Sequence, residues 1–333
     1  MKFLMLRGQV PQDRDPKEII FNNIKDCDDV WTQLFFSMLY QEDYGELWYW
    51  GGTRENRFDF NFVERWIPNF RMYKTDFVPD VIFCRGGFEE YHPVLERFPK
   101  AIKIYYGAGR RFLPRLGFHD YDIILQDSPE QVKICKEKFP KALTTLFIKP
   151  AADNIFYPKN YMKEYDICFP ANGAQAFKGH KFVYSTIPSD IKLLNLGNNP
   201  RGFKYPTNVT SYRVLRSQMA EHICKCKIGI VAVESDIDSC PRVIPEMLAC
   251  GLPIVVLSGV RFWGDMYINS IVSSKLPLPT GEMSDKNSFW STVRGILNNY
   301  NLYSPREYYE KHLSLEVAAM FIKERVNEVT VNC

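Results

Sequence analysis

The stretch from Glu234 to Val256, ESDIDSCPRVIPEMLACGLPIVV, decides the fold class. It follows an apolar run at 228–233, predicted as a buried strand, and it leads into a second such run at 254–257. Between the two runs lie an acidic loop and a short helical segment that stops at Gly251-Leu252-Pro253, a typical helix end. A buried strand, a loop, a helix and another buried strand predict a unit of a parallel α/β sheet.

The same alternation extends along the whole chain and predicts parallel sheets covered by helices. At 333 residues the chain is too long for one ordinary core and suits two domains of about 150 residues each. In the first half, strands are predicted at 2–6, 46–50, 81–84, 102–106, 123–125 and 143–147. In the second half, strands are predicted at 165–169, 191–195, 228–233 and 254–257. Helices are predicted at 129–138, 212–224, 245–250, 288–298 and 305–329.

Two local signals mark boundaries in this pattern. Ser128-Pro129-Glu130-Gln131 is a helix start, with Ser128 as the N-cap and Pro129 at the first helical position. Further on, the periodicity breaks between Pro150 and Pro158. We therefore expect a hinge between the two halves at 150–160.

The composition excludes several classes of protein. Hydrophobic residues make up 46% and charged residues 24%, which disfavours disordered, coiled-coil and collagen-like chains. A formal net charge of +3 is too small to indicate a nucleic-acid or membrane-surface protein by itself. The nine cysteines lack paired C-x-x-C units, so free, buried thiols are expected and no metal site is indicated. No apolar run approaches the roughly 20 residues of a spanning helix, and we expect a cytoplasmic protein.

The quoted stretch contains the residues best suited to bind a ligand. Asp238 falls in the loop and Glu246 on the helix, both at the edge of the sheet where parallel strands end. The helix start offers unpaired N–H groups and a positive dipole end to a diphosphate. Arg242 stands one turn before Glu246, and a cation and a carboxylate so spaced can hold a phosphate and a ribose diol.

Strand ends in the first half supply a second set of candidates. Glycines in these loops allow close backbone approach to a ligand, and basic residues or histidines could meet an acceptor or a leaving group. This set consists of Gly8, Gly86, Gly87, Arg110, Arg111 and His119, and His92 could orient an acceptor hydroxyl in the same way as His119. For the arginines a surface ion pair is an equal alternative, and for the histidines a structural role is the more common one.

One pattern resembles the signature of the retaining glycosyltransferases of GT-B fold. It consists of Asp238, seven intervening residues and Glu246, followed by Gly-x-Pro and an apolar strand. The segment 149–158 is similar to the interdomain segment of that family, and 177–181 to its Lys-Gly element. The chain departs from the pattern in having Asp238 in place of glutamate and Pro241 in place of glycine. Arg242 resembles an arginine of phage DNA glucosyltransferases.

The resemblance implies two Rossmann-like domains whose parallel sheets face a central cleft. It implies an acceptor domain at 1–150, a donor domain at 151–310 and a C-terminal helix at 311–333 that packs back toward the first domain. By the same resemblance Glu246 binds the donor ribose and Asp238 lies near the transferred sugar. Lys178, with Gly179, meets the diphosphate, and Lys181 is its nearest competitor. Asp236 and Glu234 stay open as alternatives to Asp238.

The function so implied is transfer of a sugar from a nucleotide sugar, UDP- or GDP-linked, to an acceptor hydroxyl with retention of configuration. No cofactor and no metal ion are expected, since Lys178 and Arg242 can neutralise the leaving diphosphate. The acceptor stays open among a glycan, a lipid-linked sugar, a protein and modified DNA. A nucleotide-sugar epimerase of the same fold and a non-catalytic nucleotide-sugar-binding subunit are the alternatives.

Overall fold

The computed structural model describes residues 1–7, 30–39, 44–49, 64–66, 78–86, 91–107, 120–171, 173, 178–198, 202, 205–234, 241–258 and 271–332. Its strands are β1 (Lys2–Arg7), β2 (Tyr44–Tyr49), β3 (Glu64–Trp66), β4 (Val81–Arg85), β5 (Ile102–Gly107), β6 (Ile123–Gln126), β7 (Leu143–Leu146), β8 (Tyr165–Phe169), β9 (Leu193–Leu196), β10 (Val209–Tyr212), β11 (Cys226–Val231), β12 (Ile254–Leu257) and β13 (Gly281–Ser284). Its helices are α1 (Val30–Met38), α2 (His92–Arg97), α3 (Pro129–Lys138), α4 (His180–Thr186), α5 (Met219–Cys224), α6 (Val243–Ala249), α7 (Phe289–Asn299), α8 (Pro305–His312) and α9 (Leu315–Asn332). These elements form two compact units, Met1–Ile148 with Leu315–Cys333, and Lys149–Ser314.

The first unit is built on a sheet of order β3-β2-β1-β4-β5-β6-β7. Neighbouring strands are parallel, except that β3 runs antiparallel to β2. Helix α9 belongs to this unit and packs on α1. The ring of its Phe321 lies 5.9 Å, centroid to centroid, from that of Phe147, which follows β7. The last helix therefore completes the core of the unit that contains the N-terminus.

The second unit has a fully parallel sheet of order β10-β9-β8-β11-β12-β13 among the described residues. Numbered by their appearance in this unit, the strands run 3-2-1-4-5-6, the order of Rossmann folds. The direction in which strands are added reverses between β8 and β11, and ligands of such sheets bind beyond the carboxyl ends of the strands at that point. Both strands are buried, as the continuous apolar run of a covered parallel strand predicts.

The α/β fold class expected from the sequence is confirmed, and most strands lie within two residues of their predicted bounds. Helix α3 begins at Pro129, and the Ser128 hydroxyl accepts a hydrogen bond from the Gln131 N–H at 3.2 Å. The predicted helix at 212–224 is wrong over its first half, because strand β10 ends at Tyr212 and α5 begins only at Met219. The predicted helix at 305–329 is two helices, α8 and α9.

The interior agrees with the expectation of free thiols. Cys84, Cys135, Cys168, Cys224, Cys226 and Cys250 are all buried and free. In the described part of the chain, every helix is too short or too polar to cross a membrane.

Candidate functional site

A close backbone contact joins the carboxyl ends of β8 and β11, the two strands at which the second sheet reverses. Gly179, the residue before α4, has a φ of +78°. A Cβ atom on Gly179 would lie 1.8 Å from the carbonyl oxygen of Ala232, which follows β11. Only glycine fits a positive φ and so short a distance to backbone. The loop that carries the half-buried Lys178 is thereby fixed beside the start of the acidic loop.

Glu246 is held by helix α6, which packs directly on β11. Gly229 of that strand leaves room for the helix, since an added Cβ would lie 2.3 Å from the Met247 Sδ. On the same helix, Glu246 is only 2% exposed, and its Oε1 lies 2.6 Å from the Nη2 of Arg216. A carboxylate buried to this degree is stable in its charged form only when a counter-ion and hydrogen bonds replace water. Arg216 provides both.

Arg216 is not among the residues singled out from the sequence. It lies 30 residues before Glu246, so no helical or strand spacing connects the two. Its guanidinium carbon lies 5.3 Å from the ring centroid of Phe156. An arginine followed by a short helix is a common pattern, and nothing in the local sequence distinguishes this one.

The other described candidates of this unit occupy more exposed positions. Arg242 is the N-cap residue of α6 and is exposed, and its carbonyl accepts a hydrogen bond from the Glu246 N–H at 3.3 Å. Lys181 is exposed in the first turn of α4. The carboxylate of Glu234 lies 2.6 Å from the Lys286 ammonium. Glu234 thus has a cationic partner at the start of the acidic loop.

Gly86 is the described candidate glycine of the first unit. It is buried, has a φ of +85° and donates its N–H to the Tyr106 carbonyl at 2.8 Å. It follows β4, which is paired with β1 where the first sheet reverses. His92 begins α2, with its Nδ1 3.2 Å from Glu96 Oε1. The remaining candidates lie outside the described residues: Gly8, Gly87, Arg110, Arg111, His119, Asp236 and Asp238.

His180 follows Gly179 and is a buried histidine, 2% exposed. Its ring contacts those of Phe169 and Tyr184, with centroids 5.0 and 5.5 Å away. Neither ring nitrogen forms a hydrogen bond with a described residue, although Ala171 and Asn195 lie nearby. Burial lowers the pKa of His180 below its ordinary 6.5, and these two neighbours offset only part of the effect.

Acid is therefore expected to destabilise the fold partly through His180. The unfolded chain takes up this proton as the pH falls through about 6.5, whereas the folded protein resists it, so stability is lost on acidification below that value. The substitution His180→Phe keeps an aromatic ring but removes the titrating group. Its urea midpoint should fall less steeply than that of the wild type between about pH 6.5 and pH 5. If the urea midpoints of the two proteins change with pH to the same extent, His180 does not contribute to the pH dependence of stability.

Within the described ranges, no three or more histidine, cysteine, aspartate or glutamate side chains are grouped so that they could hold a metal ion. The polar side chains described in the segments that follow β8 and β11 include Lys178 and Glu246, the latter paired with Arg216. Such groups suit an anion and a pair of hydroxyls, as in the diphosphate and ribose of a nucleotide.

Comparison of folds gives matches to known glycosyltransferases, whereas neither a protein-family profile nor a curated protein sequence matches the chain. An α-glucosyltransferase bound to UDP and a 13-mer DNA containing a HMU base matches over 99% of both chains, with a TM-score of 0.62 and 13% identity. The DNA-modifying enzyme β-glucosyltransferase matches over 98% of this chain and 99% of its own, with a TM-score of 0.55 and 9% identity. A sucrose-phosphate synthase from Thermosynechococcus elongatus matches over 77% of this chain and 75% of its own, with a TM-score of 0.55 and 14% identity.

These matches establish the fold. The chain has the GT-B fold, with two Rossmann-like domains, and its structural neighbours are glycosyltransferases, some of which act on DNA. The fold expected from the Asp238 to Glu246 signature is thus confirmed.

Proposed function

We propose that this protein is a glycosyltransferase that takes a sugar from a nucleoside diphosphate sugar bound by its second unit. The observation that carries the proposal is the arrangement at the reversal point of the second sheet. There Gly179 fixes the Lys178 loop against the end of β11, and the helix after β11 holds the buried, charged Glu246. In a Rossmann-like unit this is where a nucleotide binds.

Each residue has a distinct role in the proposed reaction. Glu246 accepts hydrogen bonds from the ribose hydroxyls, and Lys178 and Arg242 neutralise the charge that develops on the leaving diphosphate. Asp238 lies near the transferred sugar. The bond from the anomeric carbon to the diphosphate breaks, a bond from that carbon to the acceptor oxygen forms on the same face, and the proton of the acceptor hydroxyl passes to the departing diphosphate oxygen. With the charge neutralised by side chains, the reaction proceeds without a metal ion.

For the donor we propose UDP-glucose, and for the acceptor a hydroxyl group on a modified base of DNA. The support is the extent of the structural likeness. The two DNA-modifying glucosyltransferases match nearly the whole of this chain with nearly the whole of their own, whereas the sucrose-phosphate synthase extends beyond the match. Arg242 adds a sequence feature that resembles phage enzymes of this kind.

The test is transfer of labelled glucose from UDP-glucose to a DNA duplex that contains one hydroxymethylated pyrimidine. Label should enter this duplex and not the matched unmodified duplex, and the anomeric configuration of the donor should be kept, as NMR of the product would show. Activity should persist in EDTA. Labelling of a glycan, lipid-linked sugar or protein in place of DNA would overturn the acceptor, and an inverted product would overturn retention.

Two further outcomes would replace the proposal altogether. Isomerisation of the nucleotide sugar without any acceptor would indicate an epimerase. Binding of UDP-glucose with neither transfer nor hydrolysis, over a panel of acceptors, would indicate a non-catalytic subunit.

The expected independence of metal ions is tested separately. Loss of activity in EDTA and its return with manganese would show that a metal ion is required.

A further inference from the structure

Arg216 connects three separate parts of the second unit. It begins the short 3-10 turn 216–218, which leads into α5. The edge of its guanidinium bonds the Glu246 carboxylate on α6, with Nη2 and Oε1 2.6 Å apart. The guanidinium carbon lies over the ring of Phe156, a fully buried residue of the segment that enters this unit.

We propose that Arg216 is a positioning residue of the donor site, which holds the Glu246 carboxylate oriented toward the ribose of the bound nucleotide. The inference rests on the proposed function. It concerns a residue that acts through Glu246 and does not itself need to touch the nucleotide.

The burial of the two partners supports this assignment. Glu246 is 2% exposed, so water cannot stabilise its charge, whereas the Arg216 side chain is 25% exposed and keeps part of its hydration. A guanidinium is planar, always charged and able to stack on an aromatic ring while its N–H groups bond in the plane. Arg216 makes both kinds of contact, since its guanidinium lies over the Phe156 ring and bonds the Glu246 carboxylate. The arginine thus holds the carboxylate in one orientation.

Other ionisable groups near α6 are differently engaged. Arg306 donates to the Ala249 carbonyl at 2.8 Å, at the far end of the helix. The Cys250 thiol is buried, and burial raises its pKa well above the ordinary value. Arg242 is exposed at the start of the helix. In the described part of this unit, Arg216 is the cation that bonds the Glu246 carboxylate.

The orientation of Glu246 determines what it can accept. A carboxylate accepts hydrogen bonds from two neighbouring hydroxyls only when both of its oxygens are correctly placed. A buried carboxylate that has lost its counter-ion has lost the bond that places it and the charge that compensates its own. Without Arg216, nucleotide affinity should therefore fall.

Calorimetric titration of the whole chain with UDP tests this. The variants are Arg216→Met, Arg216→Lys, Glu246→Gln and the double variant Arg216→Met/Glu246→Gln. We expect Arg216→Met to lower UDP affinity about tenfold or more. Arg216→Lys should recover part of the affinity. In the Glu246→Gln background, Arg216→Met should cause little further loss, because its effect passes through Glu246.

The control is Arg294→Met, which breaks an exposed ion pair with Asp190 in the same unit and should leave UDP affinity unchanged. Losses from Arg216→Met that are equal in the wild-type and Glu246→Gln backgrounds, or that Arg216→Lys does not reduce, would overturn the positioning role. If Arg216→Met does not fold, the double variant, which contains no unpaired buried carboxylate, should fold. Failure of both to fold would overturn the role as well. A wild-type protein that binds no UDP would instead overturn the proposed function, and this inference with it.

Discussion

The substitution Glu246→Gln is expected to weaken UDP binding by about 1.5 to 3 kcal/mol, which is roughly tenfold to more than a hundredfold in affinity. Glutamine keeps the shape of the side chain and its helix propensity but removes the charge that strengthens the bonds from the ribose hydroxyls. The fold should tolerate the change, because the guanidinium left without its partner belongs to the more exposed side chain of the pair. Calorimetric titration with UDP measures the loss directly.

Two comparisons make this result specific. Asp190→Asn removes an exposed carboxylate from the same unit and should not change UDP affinity. Asp238→Asn should leave UDP affinity nearly intact and lower the rate of transfer, since Asp238 is assigned to the sugar and not to the nucleoside. Wild-type UDP affinity in Glu246→Gln would remove the ribose role from our proposal.

The substitution Gly179→Ala is expected to have the largest effect on stability, about 3 kcal/mol or more. A non-glycine residue in the left-handed region costs on the order of 1 kcal/mol or more. In addition, the new Cβ would lie 1.8 Å from the Ala232 carbonyl oxygen, so the backbone of the loop or of the strand end must move. The displaced loop carries Lys178, and UDP affinity should fall with stability.

Gly202→Ala is the matched control for this prediction. Gly202 has nearly the same φ, +79°, but, apart from its chain neighbours, no described residue has an atom within 4 Å of an added Cβ. Its substitution should therefore cost only the conformational strain, about 1 kcal/mol. The urea midpoint of Gly179→Ala should be lower than that of Gly202→Ala, and the difference measures the cost of the clash between the new Cβ and the Ala232 carbonyl. Equal midpoints would show that this clash has no cost in stability.

Local signals account for the parts of the fold that the sequence predicts well. Strand β8 has its predicted bounds, and α3 begins at the predicted cap, because an apolar run and a capping serine each act within a few residues. The strand β10 was missed because, among the described strands, it lies at the edge of its sheet beside β9 and its residues are at most half-buried, so no continuous apolar run marks it. Strand β3 likewise depends on distant pairing with β2.

The candidate site likewise contains some residues that the sequence predicts and others that it does not. Glu246, Lys178 and Gly179 stand in segments whose order and spacing are visible in the sequence. Arg216 joins them only through the packing of α6 beside the turn that leads into α5, a tertiary contact that no short pattern encodes. The approach of Gly179 to Ala232 also depends on the order of strands in the sheet.

The return of α9 to the first unit means that the two units are not equivalent pieces of chain. The second unit is one uninterrupted length, Lys149–Ser314, inserted into the first. A ribosome therefore completes the second unit before it has made the last helix of the unit that was begun first. Until α9 is released and docks, the surface of α1 that it covers stays open to solvent, and the nascent first unit is exposed to aggregation through that surface.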